Sequence, residues 1–309
     1  MNPAYQLKGI TNLNHYSFSM NLERNIVSFF DYGCLLASGY QNIYFNSTDY
    51  RGNEIGKLKP AISYQYSSGK VWEAYRSNWV WESGSGIAPV AITGVYVNGV
   101  FSGSGFDINY KNGQIVFNTG ISTSSTVKCS YSPKTINWLS SDSTWFRELV
   151  TETYNYDAFD DVGIGSGIRS VINNHRVQLP AVVVEVSTEN NFEPYQLGGG
   201  HWYNPKVFFH VFAETPDQKK LIKDIISSQN QHSFLGVDFN KIAASGDFPM
   251  NSYGFLNSGA KTFPDLYNNY PWNVKPITFE NLNGKDIPFV PNIYRCLVIG
   301  NCNLVLYSV

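Results

Sequence analysis

The sequence predicts an α+β protein in which a β-rich, sandwich-like N-terminal domain precedes a C-terminal α/β domain. Two observations indicate this order. Between residues 71 and 133, short strands and turns rich in Gly and Asn follow one another at intervals of about 8–12 residues, which is typical of small sandwiches and barrels. Beyond residue 141 a long β-branched run, a second strand and a long helix follow instead. The change near 135–145 is the predicted domain boundary.

The predicted organisation has an arm at residues 1–22, a β-rich domain with a leading helix at 23–140, and an α/β domain at 141–309. The length of 309 residues fits this division, since domains span roughly 100–200 residues. The leading helix is predicted because apolar residues recur at the spacing of one helical face. These residues are Ile26, Phe29, Phe30 and Leu36.

Asn-Gly pairs predict hairpins in the β-rich domain. Asn98-Gly99 follows an alternating run, and Asn112-Gly113 precedes another. Both residue types tolerate the positive φ that tight hairpin turns require. Further strands are predicted wherever the sequence alternates or is rich in aromatic residues. They are residues 42–45, 71–75, 78–82, 90–92 and 127–131.

In the α/β part, residues 177–186 form the longest β-branched run, which predicts a buried strand. Residues 206–213 predict a second strand. A helix over 217–231 is predicted because Thr215 can serve as its N-cap and Pro216 as its first residue.

Two expectations concern the end of the chain. Residues 240–292 are rich in Pro, Gly and Asn and predict few regular elements. Residues 294–299 and 303–307 predict two strands of a hairpin, with 300–302 as its loop.

The charge balance excludes several classes of protein. Lys and Arg number 22 against 24 Asp and Glu, a net charge of −2, whereas affinity for nucleic acid needs clustered cations. Aromatic residues make up 16% and charged residues 15%, which excludes a disordered chain. No apolar run approaches the length of a membrane span, and no secretion signal is expected at the N-terminus.

The cysteines Cys34, Cys129, Cys296 and Cys302 do not form a recognisable motif. The last pair has the spacing C-x5-C, which suits neither a redox pair nor half of a zinc site. We therefore expect reduced, structural cysteines in a protein made in the cytosol.

Residues that could carry chemistry each have a simpler structural interpretation. Asp157, Asp160 and Asp161 could hold Ca²⁺ or Mg²⁺ on one helical face, but a solvated acidic loop is favoured. The glycines at 163–167 and 198–200 lack the context of a nucleotide-binding loop and favour flexible loops or turns. The sequence therefore predicts no catalytic residue, no cofactor and no metal site, and the protein is not expected to be an enzyme.

Histidines and tryptophans leave two alternatives open. His201 could join Glu193 and Asp217 in a catalytic cluster only through the fold, whereas His210 is expected to be an ordinary histidine of a sheet. Aromatic rings also stack on the apolar faces of sugars. A sugar-binding surface would use Trp72, Trp79 and Trp81. The favoured alternative is a buried sandwich face, because Trp79 and Trp81 are predicted to lie on the same face of one strand.

The second half of the chain resembles the tail-terminator and neck proteins of tailed bacteriophages. The resemblance covers about residues 175–240 and extends loosely to the C-terminus. It rests on the order of the run 179–186, the loop 195–199, the strand 207–213, the helix 217–231 and the segment Leu235-Gly236-Val237-Asp238-Phe239-Asn240. In the first half, residues 78–84 and 94–99 resemble the β-rich additions of phage virion proteins. The chain is longer than most terminators, which leaves the β-rich domain and residues 240–292 outside the family pattern.

The resemblance implies a virion structural protein at the head–tail junction, assembled in the host cytoplasm. Such subunits form a ring, usually sixfold, that caps the tail tube and joins it to the head. The implied partners are further copies of the chain, neighbouring neck or connector proteins, and tail tube or sheath proteins. Genomic DNA would pass through the ring without specific binding, and no membrane is involved. The alternative is a carbohydrate-binding or glycan-cleaving protein for receptor recognition.

Overall fold

The computed structural model is a mixed α+β protein with two β-sheets and four described helices, so the predicted α+β class is confirmed. The helices are α1 (Phe18–Leu36), α2 (Pro216–Ser227), α3 (Phe239–Ser245) and α4 (Phe263–Asn269). The structure describes residues 16–63, 65–84, 86–143, 146, 178–187, 192–195, 200–287 and 293–306.

The N-terminal sheet has seven short antiparallel strands in the order β4-β3-β7-β1-β2-β6-β5. They are β1 (Lys57–Pro60), β2 (Val71–Glu73), β3 (Val95–Val97), β4 (Val100–Ser102), β5 (Phe106–Asn109), β6 (Gln114–Phe117) and β7 (Val127–Cys129). Its core contains the fully buried rings of Trp72, Trp79 and Tyr131. Burial of such large aromatic side chains stabilises this sheet.

The two Asn-Gly pairs form different turns. Asn98 (φ 50°) and Gly99 (φ 84°) close the β3–β4 hairpin as a two-residue turn of the predicted kind. In the β5–β6 hairpin the loop is longer, because Asn109 pairs with Gln114 and only Gly113 has positive φ. Both predicted hairpins are therefore confirmed, the second with a wider loop.

Three predicted strands of this half are wrong. Residues 42–45 and 78–82 contribute only isolated bridges, and residues 90–92 form no strand. Trp79 lies opposite Pro133, and the ladder cannot continue there because proline has no backbone N–H to donate.

Among the described residues the C-terminal sheet has eight strands, and within this part of the chain β8 and β9 are the only pair that runs in parallel. They are β8 (Asn137–Ser140), β9 (Ala181–Val186), β10 (Phe192–Pro194), β11 (His201–Tyr203), β12 (Lys206–Ala213), β13 (Ser233–Phe234), β14 (Ile277–Asp286) and β15 (Tyr294–Leu306). The strand β15 organises the sheet, since β12 pairs with its first part, β11 with its last part, and β14 with most of its length.

The predicted hairpin at the end of the chain is wrong, because Tyr294–Leu306 is one continuous strand of 13 residues. Gly300 lies within it, where an added Cβ would come 2.6 Å from a methyl of Leu282 and 2.9 Å from the carbonyl oxygen of Glu280. Glycine is needed for this close approach rather than for a turn. Cys296 and Cys302 therefore lie about 20 Å apart along one strand, and both are free thiols.

Residues 240–292 contain more regular structure than predicted, namely α4, β14 and most of α3. The strand β14 escaped prediction because Asn281 and Gly284 look like turn residues. Asn281 instead adopts positive φ (55°) at a bulge, where the register with β15 shifts between Glu280 and Asn283.

The helix α2 begins as predicted, with the side chain of Thr215 accepting from the N–H of Gln218 and Pro216 at the first helical position. It ends at Ser227, four residues before the predicted end at 231. Ile222 and Ile226 are buried against the C-terminal sheet.

The helix α1 belongs to the core of the C-terminal sheet. It begins after Ser17, which caps it, and Leu22, Ile26 and Phe30 are buried with residues of that sheet. The ring of Phe30 stacks on Trp138 at 4.5 Å. The leading helix therefore packs against strands far along the chain. The domain boundaries at 22 and 140 stay a prediction.

Buried polar side chains fix the position of α1. The amide of Asn25 donates to the carbonyl oxygen of Val237 at 2.8 Å and accepts from its N–H at 2.5 Å. Asn21 accepts from the N–H of Phe239. Because each pair satisfies groups that have no access to water, the helix has one favourable position against this segment.

Glu23 holds the same helix to the sheet. Its carboxylate accepts from the N–H and hydroxyl of Ser141 and from the N–H of Val186. Burial raises the pKa of Glu23 above its usual range, although these hydrogen bonds oppose the rise.

A buried ionic cluster of Asp31, Glu82 and Lys134 joins α1 to the N-terminal half. The ammonium of Lys134 lies 2.6 Å from Asp31 and 3.1 Å from Glu82. Burial opposes the charge on Lys134, but the two carboxylates outweigh it and raise its pKa. Burial raises the pKa of Asp31 as well, while Lys134 opposes that shift.

Substitution of Gly300 by Ala is expected to reduce the free energy of unfolding by about 1–3 kcal/mol, because the added Cβ meets the backbone of Glu280. Gly33 is the control, since it lies on the exposed side of α1 with nothing within 4 Å of an added Cβ. Gly33→Ala is expected to stabilise the protein by about 0.5–1 kcal/mol. Urea denaturation measures both, and equal effects of the two changes would contradict the close approach at Gly300.

Lys134→Met is expected to cost about 3–5 kcal/mol at neutral pH, because two carboxylates lose their buried cation. The loss is expected to shrink as the pH falls. Since the pKa of Asp31 is already raised in the folded state, the folded variant binds protons more readily than the unfolded chain. Denaturation between neutral and acid pH measures this. Lys128→Met, which breaks a surface pair with Glu54, is the control and is expected to change stability far less at every pH.

Candidate functional site

The two faces of the C-terminal sheet differ sharply. We call the face packed by α1 and α2 the first face; Val207, Phe209 and Val211 of β12 are buried on it. Because side chains alternate along a strand, Phe208 and His210 lie on the opposite, second face. The described helices α3 and α4 contact α1, which packs on the first face.

The centre of the second face is apolar and only partly covered. Phe208 pairs with Ile299, and His210 pairs with Leu297 on the neighbouring strand. Phe208, Leu297 and Ile299 are half-buried, whereas their neighbours on the first face are fully buried. These three residues, which we call the central patch, leave apolar surface in contact with water.

One end of the second face is closed by a small apolar cluster. Ala181, Val183 and Phe212 are fully buried there, with Leu139 and Phe146 packed against them. This end of the face is therefore part of the protein interior, and the accessible part lies toward β10 and β11.

His210 lies between the closed end and the central patch. Its Nε2 is 2.9 Å from a carboxylate oxygen of Glu185, and the ring of Phe146 lies 5.0 Å away. Burial lowers the pKa of His210, and the bond to Glu185 only partly offsets this. The imidazole is therefore neutral at neutral pH. His210 is a hydrogen-bonded structural residue of the sheet, as the sequence predicts.

The other end of the second face contains a polar cleft of about 410 Å³, lined by Glu193, Trp202, Asn204 and Asn303. Glu193 and Trp202 are register partners on β10 and β11, so their side chains lie next to each other. Trp202 pairs with Val305 of β15, two residues from Asn303, which places all of these side chains on one face.

The structure does not bring the possible catalytic cluster together. His201 precedes Trp202 in β11 and lies on the first face, whereas Glu193 lies on the second. Asp217 is exposed in the first turn of α2, which packs on the first face. The sheet thus separates Glu193 from the other two residues.

The tryptophans singled out in the sequence are core residues for the most part. Trp72 and Trp79 are fully buried, and their indole N–H groups donate to the carbonyl oxygens of Gly69 and Arg76. Trp81 is half-buried. Burial, the favoured interpretation, is confirmed for Trp79, whereas Trp81 is only half-buried and the strand predicted to carry both residues does not form.

Other predicted features fall outside the described residues or leave no site within them. Asp157, Asp160, Asp161 and the glycines at 163–167, 198 and 199 are outside the described part of the chain. Within that part, no three His, Cys, Asp or Glu side chains are placed to hold a metal ion.

The cysteines are buried or half-buried free thiols. Burial raises the pKa of Cys34 and of Cys296 to about 11, and it raises the pKa of Cys129 and Cys302 further. Such thiols are poor nucleophiles, in agreement with the structural role predicted for them. Among the described helices, none has the length and apolar character needed to cross a membrane.

The sequence did not single out Trp202, Asn204 or Asn303. Side chains alternate along His201-Trp202-Tyr203, so Trp202 lies on the opposite face of the strand from its two neighbours. This alternation was the only sign in the sequence that Trp202 is accessible. The cleft itself depends on the register of β10, β11 and β15, which no local pattern contains.

His210 is expected to make stability depend on pH below neutrality. Its pKa is lowered in the folded state, so the unfolded chain binds the proton more readily, and stability falls as the pH drops below about 6.5. His210→Gln is expected to remove this part of the dependence in denaturation curves, while the exposed His232→Gln keeps it. An unchanged pH dependence in His210→Gln would contradict the assignment.

Comparison with known proteins assigns no family to the chain, since no protein-family model and no curated protein sequence matches it.

Proposed function

We propose that this protein is a virion structural subunit at the head–tail junction of a tailed phage, where its copies assemble into a ring. The observation that carries the proposal is the asymmetry of the C-terminal sheet. Helices cover the first face, while the central patch of Phe208, Leu297 and Ile299 stays partly open on the second. Apolar surface of this kind is buried when subunits associate.

The order of elements also supports the proposal. The strand β9, the strand β12, the helix α2 and the segment Val237–Asn240 occur in the order that the resemblance to tail terminators implies, with the short strands β10 and β11 between β9 and β12. A contact between the patch on one subunit and a different surface of the next is heterologous, and such contacts close into a ring when the rotation permits. The ring would cap the tail tube and join it to the head.

The amino-acid composition fits a protein that works through large contacts with its own copies. Interfaces are enriched in Tyr, Trp and Phe and depleted of Lys and Glu. The chain has 16% aromatic and only 15% charged residues, with a net charge of −2. DNA passing through such a ring would meet few clustered cations and would not be bound tightly.

The test is the oligomeric state of the full chain and of a variant with a charge in the central patch. Light scattering and electron microscopy of the parent are expected to show rings whose mass is a multiple of 34.7 kDa. Ile299→Lys is expected to yield monomers, because a buried unpaired ammonium opposes association. Leu221→Lys is the control, since Leu221 lies 59% exposed on the outer side of α2.

Circular dichroism shows whether Ile299→Lys keeps its fold, and the milder Leu297→Gln serves as a second variant if it does not. Rings formed equally well by the patch variants would exclude the central patch as the interface. A parent protein that stays monomeric at all concentrations and joins neither tail tubes nor connector proteins would refute the proposed function.

A further inference from the structure

We propose that the cleft lined by Glu193, Trp202, Asn204 and Asn303 binds one neutral sugar unit of a glycan. The proposal goes beyond ring assembly and does not depend on it. The central patch and the cleft are different surfaces of the second face, since the cleft lies where β10 and β11 extend the sheet along the last part of β15.

An aromatic ring forms one wall of the cleft. Trp202 is 37% exposed, so part of its indole is accessible to a ligand. Tyr195 packs edge-to-face against it with ring centroids 5.3 Å apart. Lys275 in turn lies 4.3 Å from the centroid of Tyr195 and donates to its hydroxyl. The indole is thus oriented before any ligand arrives, which lowers the entropic cost of binding.

Polar groups around this ring are unused by the protein. Among the described residues, the carboxylate of Glu193, the indole N–H of Trp202 and the amide of Asn204 have no hydrogen-bond partner. Asn303 donates one N–H to Glu280 at 3.0 Å, which leaves its carbonyl oxygen and second N–H available. The cleft therefore offers acceptors and donors side by side.

This combination selects the chemical class of the ligand. Each sugar hydroxyl donates and accepts at once, so neighbouring hydroxyls match a mixed set of carboxylate, amide and indole groups. The C–H face of a pyranose is apolar and can lie against an exposed aromatic ring. The cleft volume of about 410 Å³ falls in the range of small-molecule sites.

The other ligand classes fit less well. Among the described lining residues the charged group is the carboxylate of Glu193, which repels phosphates and acidic sugars, and the nearby ammonium of Lys275 donates to the hydroxyl of Tyr195. A purely apolar ligand would remove water from the polar groups of Glu193, Asn204 and Asn303 without replacing their hydrogen bonds. A neutral sugar satisfies both conditions.

The experiment uses the full chain with neutral methyl hexopyranosides and a glycan array, read by saturation-transfer NMR and array fluorescence. At least one neutral hexose is expected to bind. Trp202→Ala is expected to weaken binding about tenfold or more, and Trp202→Phe to restore most of it, because the ring supplies the stacking surface. Asn303→Ala is expected to weaken binding as well. Tyr253→Ala is the matched control, since Tyr253 is an exposed aromatic residue (59%) beside β5 of the N-terminal sheet, where Asn109 donates to its carbonyl oxygen.

Failure of every neutral sugar to bind would overturn the proposal, as would binding that survives Trp202→Ala unchanged. Exclusive binding of acidic sugars, phosphates or apolar compounds would overturn it too. Light scattering on the same samples separates this result from the proposed function. Trp202→Ala is expected to assemble as the parent does, so loss of sugar binding with intact rings concerns the cleft alone.

Discussion

The structure depends on how the buried polar groups of α1 are satisfied. Asn25 bonds both backbone groups of Val237, Glu23 bonds Ser141 and Val186, and Asp31 meets Lys134. Each of these groups would be costly to bury without its partner, so each of the three contacts favours the same placement of α1. Apolar burial supplies the driving force for packing α1 on the sheet, and the polar partners determine where along the sheet it rests.

The two faces of the C-terminal sheet follow from this placement. With α1 and α2 on the first face, strict alternation along β12 and β15 sends every second side chain to the other side. That side carries three environments in a row: a closed apolar end, the partly open central patch, and the polar cleft beside Trp202. The proposed contacts with other molecules use the second and third of these environments.

Sequence reasoning succeeded where the cause of a structure is local. Asn98-Gly99 and Thr215-Pro216 form the turn and the helix start that their residue types favour. It failed at Gly300 and Asn281, which resemble turn residues but serve a close strand contact and a bulge. The reason for those two residues lies in a partner strand distant in sequence. The cleft was not predicted for the same reason, because it depends on strands distant in sequence. The virion role and the ring remain predictions.

The early position of α1 in the chain has a consequence for synthesis. The helix leaves the ribosome long before β12 and β15, the strands whose core it completes. Until those strands exist, Leu22, Ile26 and Phe30 lack the part of their apolar core that β12 and β15 supply. Contacts between residues so far apart in sequence form slowly. The apolar face of α1 therefore stays exposed on the nascent chain until those contacts form. Production of this protein should therefore benefit from slow translation at low temperature or from chaperones that hold amphipathic helices.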